Sequence, residues 1–255
     1  MDEQKGKFRF FDFSLKQHYW SNEVEQISAT NISDCKNCEW KFYHKLMQEV
    51  KLKKSVYLII GSIFHEMIET DLRHFMKTGQ HFHIVAIKKM FEEVWKKGIQ
   101  NLNSFGKYSE EQAKQKCLNY IRIYLIKMSP LLYPLNNECI EKFFCVPITF
   151  GEKRLKVTGK IDMIGKDMWI TDHKTSSLGW SQSEADEEIQ AQLYPFCIKN
   201  MGYDIKGFKF NVVSKNGVNV FQVEYNQSKV KNILTKAFQI KERIENNSML
   251  KSKSE

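Results

Sequence analysis

The sequence predicts an α+β (mixed α/β) chain with a helical N-terminal part. Three observations carry that expectation. Apolar residues recur at helical spacing from residue 28 to about 132. β-rich runs separated by turn signals begin after Pro134. Two further helical stretches interrupt and close the β-rich part, so the order is helices followed by β-β-β-α-β-β-α.

Residues 1–27 carry Phe8, Phe10, Phe11, Phe13, Tyr19 and Trp20 without a clean period and read as an N-terminal arm. Residues 28–135 form the helical part. Phe64, Met67, Ile68, Leu72 and Phe75 share one helix face; Val85, Ile87, Phe91, Val94 and Trp95 suggest a second, and Leu118, Ile121, Leu125 and Met128 a third. Gly79 and Pro130 are stop signals. Residues 136–247 form the β-rich core. The run 143–150 reads as a strand in which Pro147 favours an edge or bulge. The runs 153–164 and 167–175 are strands joined through Gly165-Lys166. A helix is expected from about 184 to 200, and Pro195 should kink it. The runs 206–215 and 218–225 read as a hairpin across Asn216-Gly217. A last helix from Ser228 aligns Val230, Ile233, Leu234, Ala237, Ile240 and Ile244, and residues 248–255 read as a disordered tail.

Composition narrows the function classes. With 42% apolar and 27% charged residues the 255-residue chain is globular rather than disordered. The longest apolar run, residues 56–60, falls far short of the roughly 18–20 residues that span a bilayer, so no membrane partner is expected. The N-terminus lacks the pattern of a signal peptide, and the chain reads as a soluble intracellular (cytoplasmic) protein whose six cysteines are free thiols. Thirty-nine basic against thirty acidic residues leave +9, which suits a polyanion such as DNA. The excess is almost all lysine, which grips phosphates as a point charge and reads bases poorly, so little sequence specificity is expected.

The stretch that carries chemistry is Thr158-Gly159-Lys160-Ile161-Asp162 followed by Thr171-Asp172-His173-Lys174-Thr175. Alternation along a strand puts Asp172 and Lys174 on one face and His173 on the other, with Asp162 able to meet them across the hairpin. Two carboxylates and an ammonium brought together are costly to bury unless compensated, and a hard divalent cation compensates them. The spacing alone is equally compatible with an exposed cross-strand Asp–Lys pair.

Gly159-Lys160-Ile161-Asp162 with Asp172-His173-Lys174-Thr175 resembles the core of the PD-(D/E)XK nuclease superfamily, in its RecB-like branch. Three more segments are similar, in the order that branch requires: Ser28-Ala29-Thr30-Asn31-Ile32 followed by Cys38; Gly61-Ser62-Ile63-Phe64-His65; and Gln190-Ala191-Gln192-Leu193-Tyr194. The resemblance implies a restriction-endonuclease-like core, a central mixed β-sheet flanked by helices. It implies Mg²⁺ or Mn²⁺ held by His65, Asp162, Asp172 and the backbone carbonyl of His173. Lys174 becomes the catalytic lysine, and Gln190 and Tyr194 contact the active centre or the DNA. Relatives that carry an iron–sulfur cluster place three cysteines near the C-terminus; none follows Cys197 here, so no such cluster is expected. Cys35-Lys36-Asn37-Cys38 reads as packing rather than a zinc site, lacking a second pair.

The expected activity is metal-dependent hydrolysis of DNA, as an exonuclease acting on single- or double-stranded ends in recombination, repair or phage DNA processing. No phosphate-binding helicase motif is present, so unwinding would need a helicase or recombination partner protein. The rival readings are a non-catalytic DNA-binding or protein-interaction module on the same fold and a structure-specific endonuclease.

Overall fold

The computed structural model describes residues 26–40, 42–43, 55–102 and 104–246. The expected tail, and all of the expected arm except Gln26 and Ile27, lie outside them. The chain begins with β1 (Gln26–Ser28) and α1 (Ala29–Asn37). Three helices follow: α2 (Val56–Thr78), α3 (Ile84–Gly98) and α4 (Glu110–Lys127). Then come β2 (Ile140–Phe150), β3 (Lys153–Ile164) and β4 (Trp169–Thr175). The chain continues through α5 (Gln182–Glu187), α6 (Ile189–Asn200), β5 (Gly207–Ser214), β6 (Gly217–Glu224) and α7 (Gln227–Glu245).

Local chemistry fixes the ends of the long helices. Ser55 Oγ accepts from the Leu58 amide at 3.4 Å to start α2. Gly79, with φ 73, closes it, its amide donating to the Phe75 carbonyl at 2.8 Å. Ser109 and Gln112 form a reciprocal capping box at the start of α4.

The strands form one mixed sheet. β2 runs antiparallel along β3 and, among the described residues, is an edge, which accommodates Pro147. On its other side β3 pairs first with β1, in parallel at Lys156–Thr158, and then antiparallel with β4 at Met163 and Ile164. β4 runs parallel to β5, and β5 antiparallel to β6. Helices cover both faces. Phe64, Phe91, Trp95 and Tyr124 of α2–α4 bury Ile140, Met163 and Val213 on one face. Ile32, Leu193, Leu234 and Ile244 of α1, α6 and α7 bury Phe144, Val157, Phe208 and Val212 on the other. α1 thus packs with the C-terminal helices, not with α2–α4. This mixed α/β sandwich agrees with the expected fold class.

Several local expectations are corrected. Val85 is 71% exposed although it shares a stripe with the buried Ile87, Phe91 and Trp95, because it sits in the first turn of α3, at the edge of the packed face. The single helix expected over 184–200 is two, broken where Glu188 takes an extended backbone (φ −64, ψ 125). Pro195 lies inside α6 and the helix continues beyond it to Asn200. The β5–β6 loop is Lys215-Asn216, with Gly217 (φ 132) already paired to Ser214 as the first residue of β6. Gln26 and Ile27, assigned above to the arm, form a strand with Ser28 because their backbone completes the upper half of β3's free edge.

Candidate active site

The site forms where β3 and β4 part. Their ladder holds Met163 to Thr171 and Ile164 to Ile170; beyond it the Asp162 side chain takes up the connection, its Oδ2 accepting from the His173 amide at 2.6 Å. On the other side of β3 the β2 ladder joins Ile140 to Met163 and Lys142 to Ile161, which sets Glu141 across from Asp162. The inward–outward alternation reverses at this point. Ile140 and Met163 belong to the core beneath α2–α4, whereas Phe144 and Ile161 belong to the opposite core. Glu141 makes the reversal with φ 52, a left-handed backbone that costs a non-glycine residue about 1–3 kcal/mol.

α2 delivers His65 to the same place. Its Nδ1 lies 3.2 Å from Asp162 Oδ2, and donor atoms of His65, Glu141 and Asp162 all fall within 4.8 Å of one another. One imidazole and two carboxylates are a donor set suited to Mn²⁺ or Mg²⁺. Glu141 is also ion-paired with Lys160. Glu66, next to His65, is exposed.

Asp172 and Lys174 point toward α6. Lys174 Nζ is 2.8 Å from Asp172 Oδ2 and donates to Gln190 Oε1 at 3.0 Å, while Gln190 Nε2 donates to the Tyr194 hydroxyl at 3.2 Å. Asp172 Oδ2 is buried and paired with that ammonium. Gly159 makes room for this arrangement. A Cβ there would lie 2.5 Å from Phe144 Cζ and 2.9 Å from Tyr194 Cε1, so glycine lets the two rings meet edge to face at 5.0 Å.

The charges are set by burial and pairing. Burial opposes ionisation of His65, but the charge and hydrogen bond of Asp162, joined by Asp172, outweigh it and raise its pKa to about 9. Asp162 is held down at about 2 against its own burial by His65 and by the amide of His173. Burial lifts Asp172 to about 6 in spite of Lys174 beside it. Lys174 is raised despite burial, chiefly by Asp172, so it is an ammonium and not a base at neutral pH. The His173 side chain points to the other face, as expected. It is buried against the Tyr124 ring at 5.6 Å with Asn211 Nδ2 3.5 Å from its Nδ1, and burial lowers it to about 4.

The structure therefore brings His65, Asp162, Asp172, Lys174, Gln190 and Tyr194 together, with only the backbone of His173 facing the site. Glu141 was missed by sequence reading, yet a countable signal existed. A turn at Gly151-Glu152 pairs Phe150 with Lys153, and counting nine residues back along each strand sets Glu141 opposite Asp162. Cys35 is buried in the core and its thiol is pushed up to about 11 by burial, while the Cys38 amide caps α1 on Asp34.

Comparison with known proteins adds family to geometry. The sequence model of the PD-(D/E)XK nuclease superfamily matches residues 26–254. No curated protein matches the chain. A crystal structure described as a "putative exonuclease" from Eubacterium rectale aligns over 93% of this chain and 88% of its own, with 14% identity and a TM-score of 0.56, a similarity of fold. A second structure, SSO0001, aligns over 89% and 77% with 11% identity and a TM-score of 0.39. No described helix is long and apolar enough to cross a membrane. With the motif residues gathered at one site and the family match running nearly end to end, the chain belongs to the PD-(D/E)XK nuclease superfamily, in its RecB-like branch.

Proposed function

We propose that the chain is a divalent-metal-dependent deoxyribonuclease that removes nucleotides from DNA ends. The observation that carries this reading is the convergence of His65, Glu141 and Asp162, from three different elements, beside a lysine kept charged by Asp172. His65, Asp162 and Glu141 would hold the cation, with Asp172 and the His173 carbonyl adjoining. A cation bound there supplies Lewis-acid polarisation of the phosphate and a lowered pKa for water.

The chain's own residues supply the rest. Lys174, clamped between Asp172 and Gln190, presents a fixed positive charge to the oxygens of the phosphate as they gain charge in the transition state. Because the lysine stays protonated, its contribution is electrostatic. Tyr194 holds Gln190, and Gln190 holds the ammonium, so both are positioning residues in this reading. The +9 charge favours the polyanionic substrate without selecting a sequence.

The test is incubation of purified protein with end-labelled linear DNA and closed circular DNA in Mg²⁺, Mn²⁺ or EDTA. Metal-dependent loss of linear DNA with circles intact is expected, with Mn²⁺ more effective at limiting concentration because it tolerates an imidazole ligand better. Circles cut as fast as linear DNA would replace the end-directed reading with an endonuclease. A folded protein inert in every metal would overturn the nuclease reading.

A further inference from the structure

A second cluster, rich in tyrosine and lysine, lies toward the start of α2, the helix that carries His65, and takes no part in the chemistry above. Tyr57 opens α2 and is 50% exposed. Its ring meets that of Tyr108, just before α4, edge to face at 5.9 Å. Lys116 of α4 stands over both rings, 5.7 Å and 5.0 Å from their centroids, and 5.9 Å from that of Tyr120. Its ammonium donates to the Tyr108 hydroxyl at 3.0 Å and to Ser177 Oγ at 2.8 Å, both neutral groups, and among the described residues it has no carboxylate partner. Lys107 adds a second cation 5.6 Å from the Tyr108 ring.

Two connections tie this cluster to the candidate active site. The Tyr120 hydroxyl donates to the Ser176 carbonyl at 3.2 Å, and Ser176 and Ser177 follow Lys174 directly across Thr175. Along α2, Tyr57, Gly61 and His65 are spaced by four and lie on one inclined ridge. Gly61 in the middle of that ridge is not demanded by the protein's own packing: a Cβ there would meet nothing within 4 Å. Glycine in a helix interior costs about 1 kcal/mol relative to alanine, so a bare position between the aromatic cluster and His65 suits the close passage of a ligand backbone.

We propose that this surface is the entry track for single-stranded DNA. Unpaired bases stack on the Tyr57 and Tyr108 rings, Lys116 and Lys107 take the phosphates, and the strand runs over Gly61 to His65 and Asp162. Tyr57 and His65, eight residue steps apart, are separated by about 12 Å of helix, room for a few nucleotides of a single strand. Aromatic faces reward bases that are free to unstack, whereas a duplex offers only its phosphates and groove edges, so the track selects a single strand. The proposal rests on the nuclease reading for its direction toward the metal site, but not for the binding itself.

The experiment measures binding of fluorescein-labelled dT₁₂ and of a blunt duplex by anisotropy, in EDTA so that cleavage does not intervene. The proteins are wild type, Tyr57→Leu, Tyr108→Leu and Lys116→Gln. Leucine keeps apolar bulk and removes the stacking face, and melting temperatures confirm that each variant is folded. Each tyrosine replacement should weaken dT₁₂ about 5- to 100-fold and leave the duplex nearly unchanged. Lys116→Gln should also make the salt slope shallower by about 0.7. Variants that bind dT₁₂ like wild type, or a wild type that prefers the duplex, would overturn the track. Loss of dT₁₂ binding in the variants, together with a wild type that cuts no DNA in Mn²⁺, would instead uphold the track and remove the nuclease reading.

Discussion

At the scale of single residues, the charge states divide the labour. Lys174 stays an ammonium and Asp162 an anion across the neutral range. Asp162→Asn and Lys174→Ala should each lower cleavage by about a hundredfold or more, since each removes charge aimed at the transition state. Single-turnover rates in saturating Mn²⁺ check this; a rate within a few-fold of wild type for either variant would exclude that residue from the chemistry. His65 gives a pH signature. Without metal its pKa is raised to about 9, so its pair with Asp162 contributes stability in full below about 6.5 and loses it as pH rises through about 9. In EDTA the melting temperature of wild type should exceed that of His65→Ala at about pH 6 and approach it at about pH 10. Metal must displace that proton, so Mn²⁺ affinity measured by calorimetry should strengthen with pH up to about 9, with proton release at pH 7. Glu141→Gln should weaken Mn²⁺ binding in the same titration while Lys174→Ala should not; an unshifted Glu141→Gln midpoint would leave Glu141 as a partner of Lys160 alone.

At the scale of elements, the site depends on how closely α6 approaches β2 and β3. Gly159 allows it, since Phe144 and Tyr194 occupy the space that a Cβ would need. Both rings are almost fully buried, at 1% and 4% exposure, so neither can swing into solvent to make room. Gly159→Ala should therefore destabilise the protein by about 1–3 kcal/mol through overpacking. It should also disturb the Gln190–Tyr194 contact that holds Lys174. Urea denaturation and kcat would both record it, and an unchanged denaturation midpoint would show that α6 can retreat freely. The strained Glu141 backbone belongs to this scale as well, because the reversal of β2 and β3 brings Glu141 beside Asp162 and His65.

At the scale of the whole molecule, the charge surplus sets how DNA is met. An excess of nine positive charges, nearly all lysine, predicts phosphate contacts that release counterions. DNA affinity in EDTA should fall steeply between low and physiological salt, with a log–log slope of about −0.7 per single-strand phosphate neutralised. It should change little between sequences of equal length. A flat salt dependence would mean that the lysines only solvate the surface. The layered arrangement contributes the rest, because it brings His65 from α2 on one face of the sheet and Gln190 and Tyr194 from α6 on the other to the strands that carry Asp162 and Lys174.

The sequence by itself determined the fold class, most helix faces and strand runs, and the motif residues His65, Asp162, Asp172, Lys174, Gln190 and Tyr194, but neither β1 nor Glu141. Those features follow from local periodicity and from short motifs whose members lie within a few residues of one another. Helix α2 was legible because its buried stripe and its glycine stop are both local. The break at Glu188 and the one-residue shift of the β5–β6 turn were not, since isolated backbone angles there depend on what the flanking elements pack against. Only the tertiary structure decided that Glu141 joins His65 and Asp162, because that meeting combines a strand register, a reversal of alternation and a helix more than seventy residues away. It also decided that Lys174 is held by Gln190, and that Tyr57, Tyr108 and Lys116 form one surface. Contacts between distant segments are set by the packing of whole layers, whose energies are spread over the two cores and are written in no single stretch of chain.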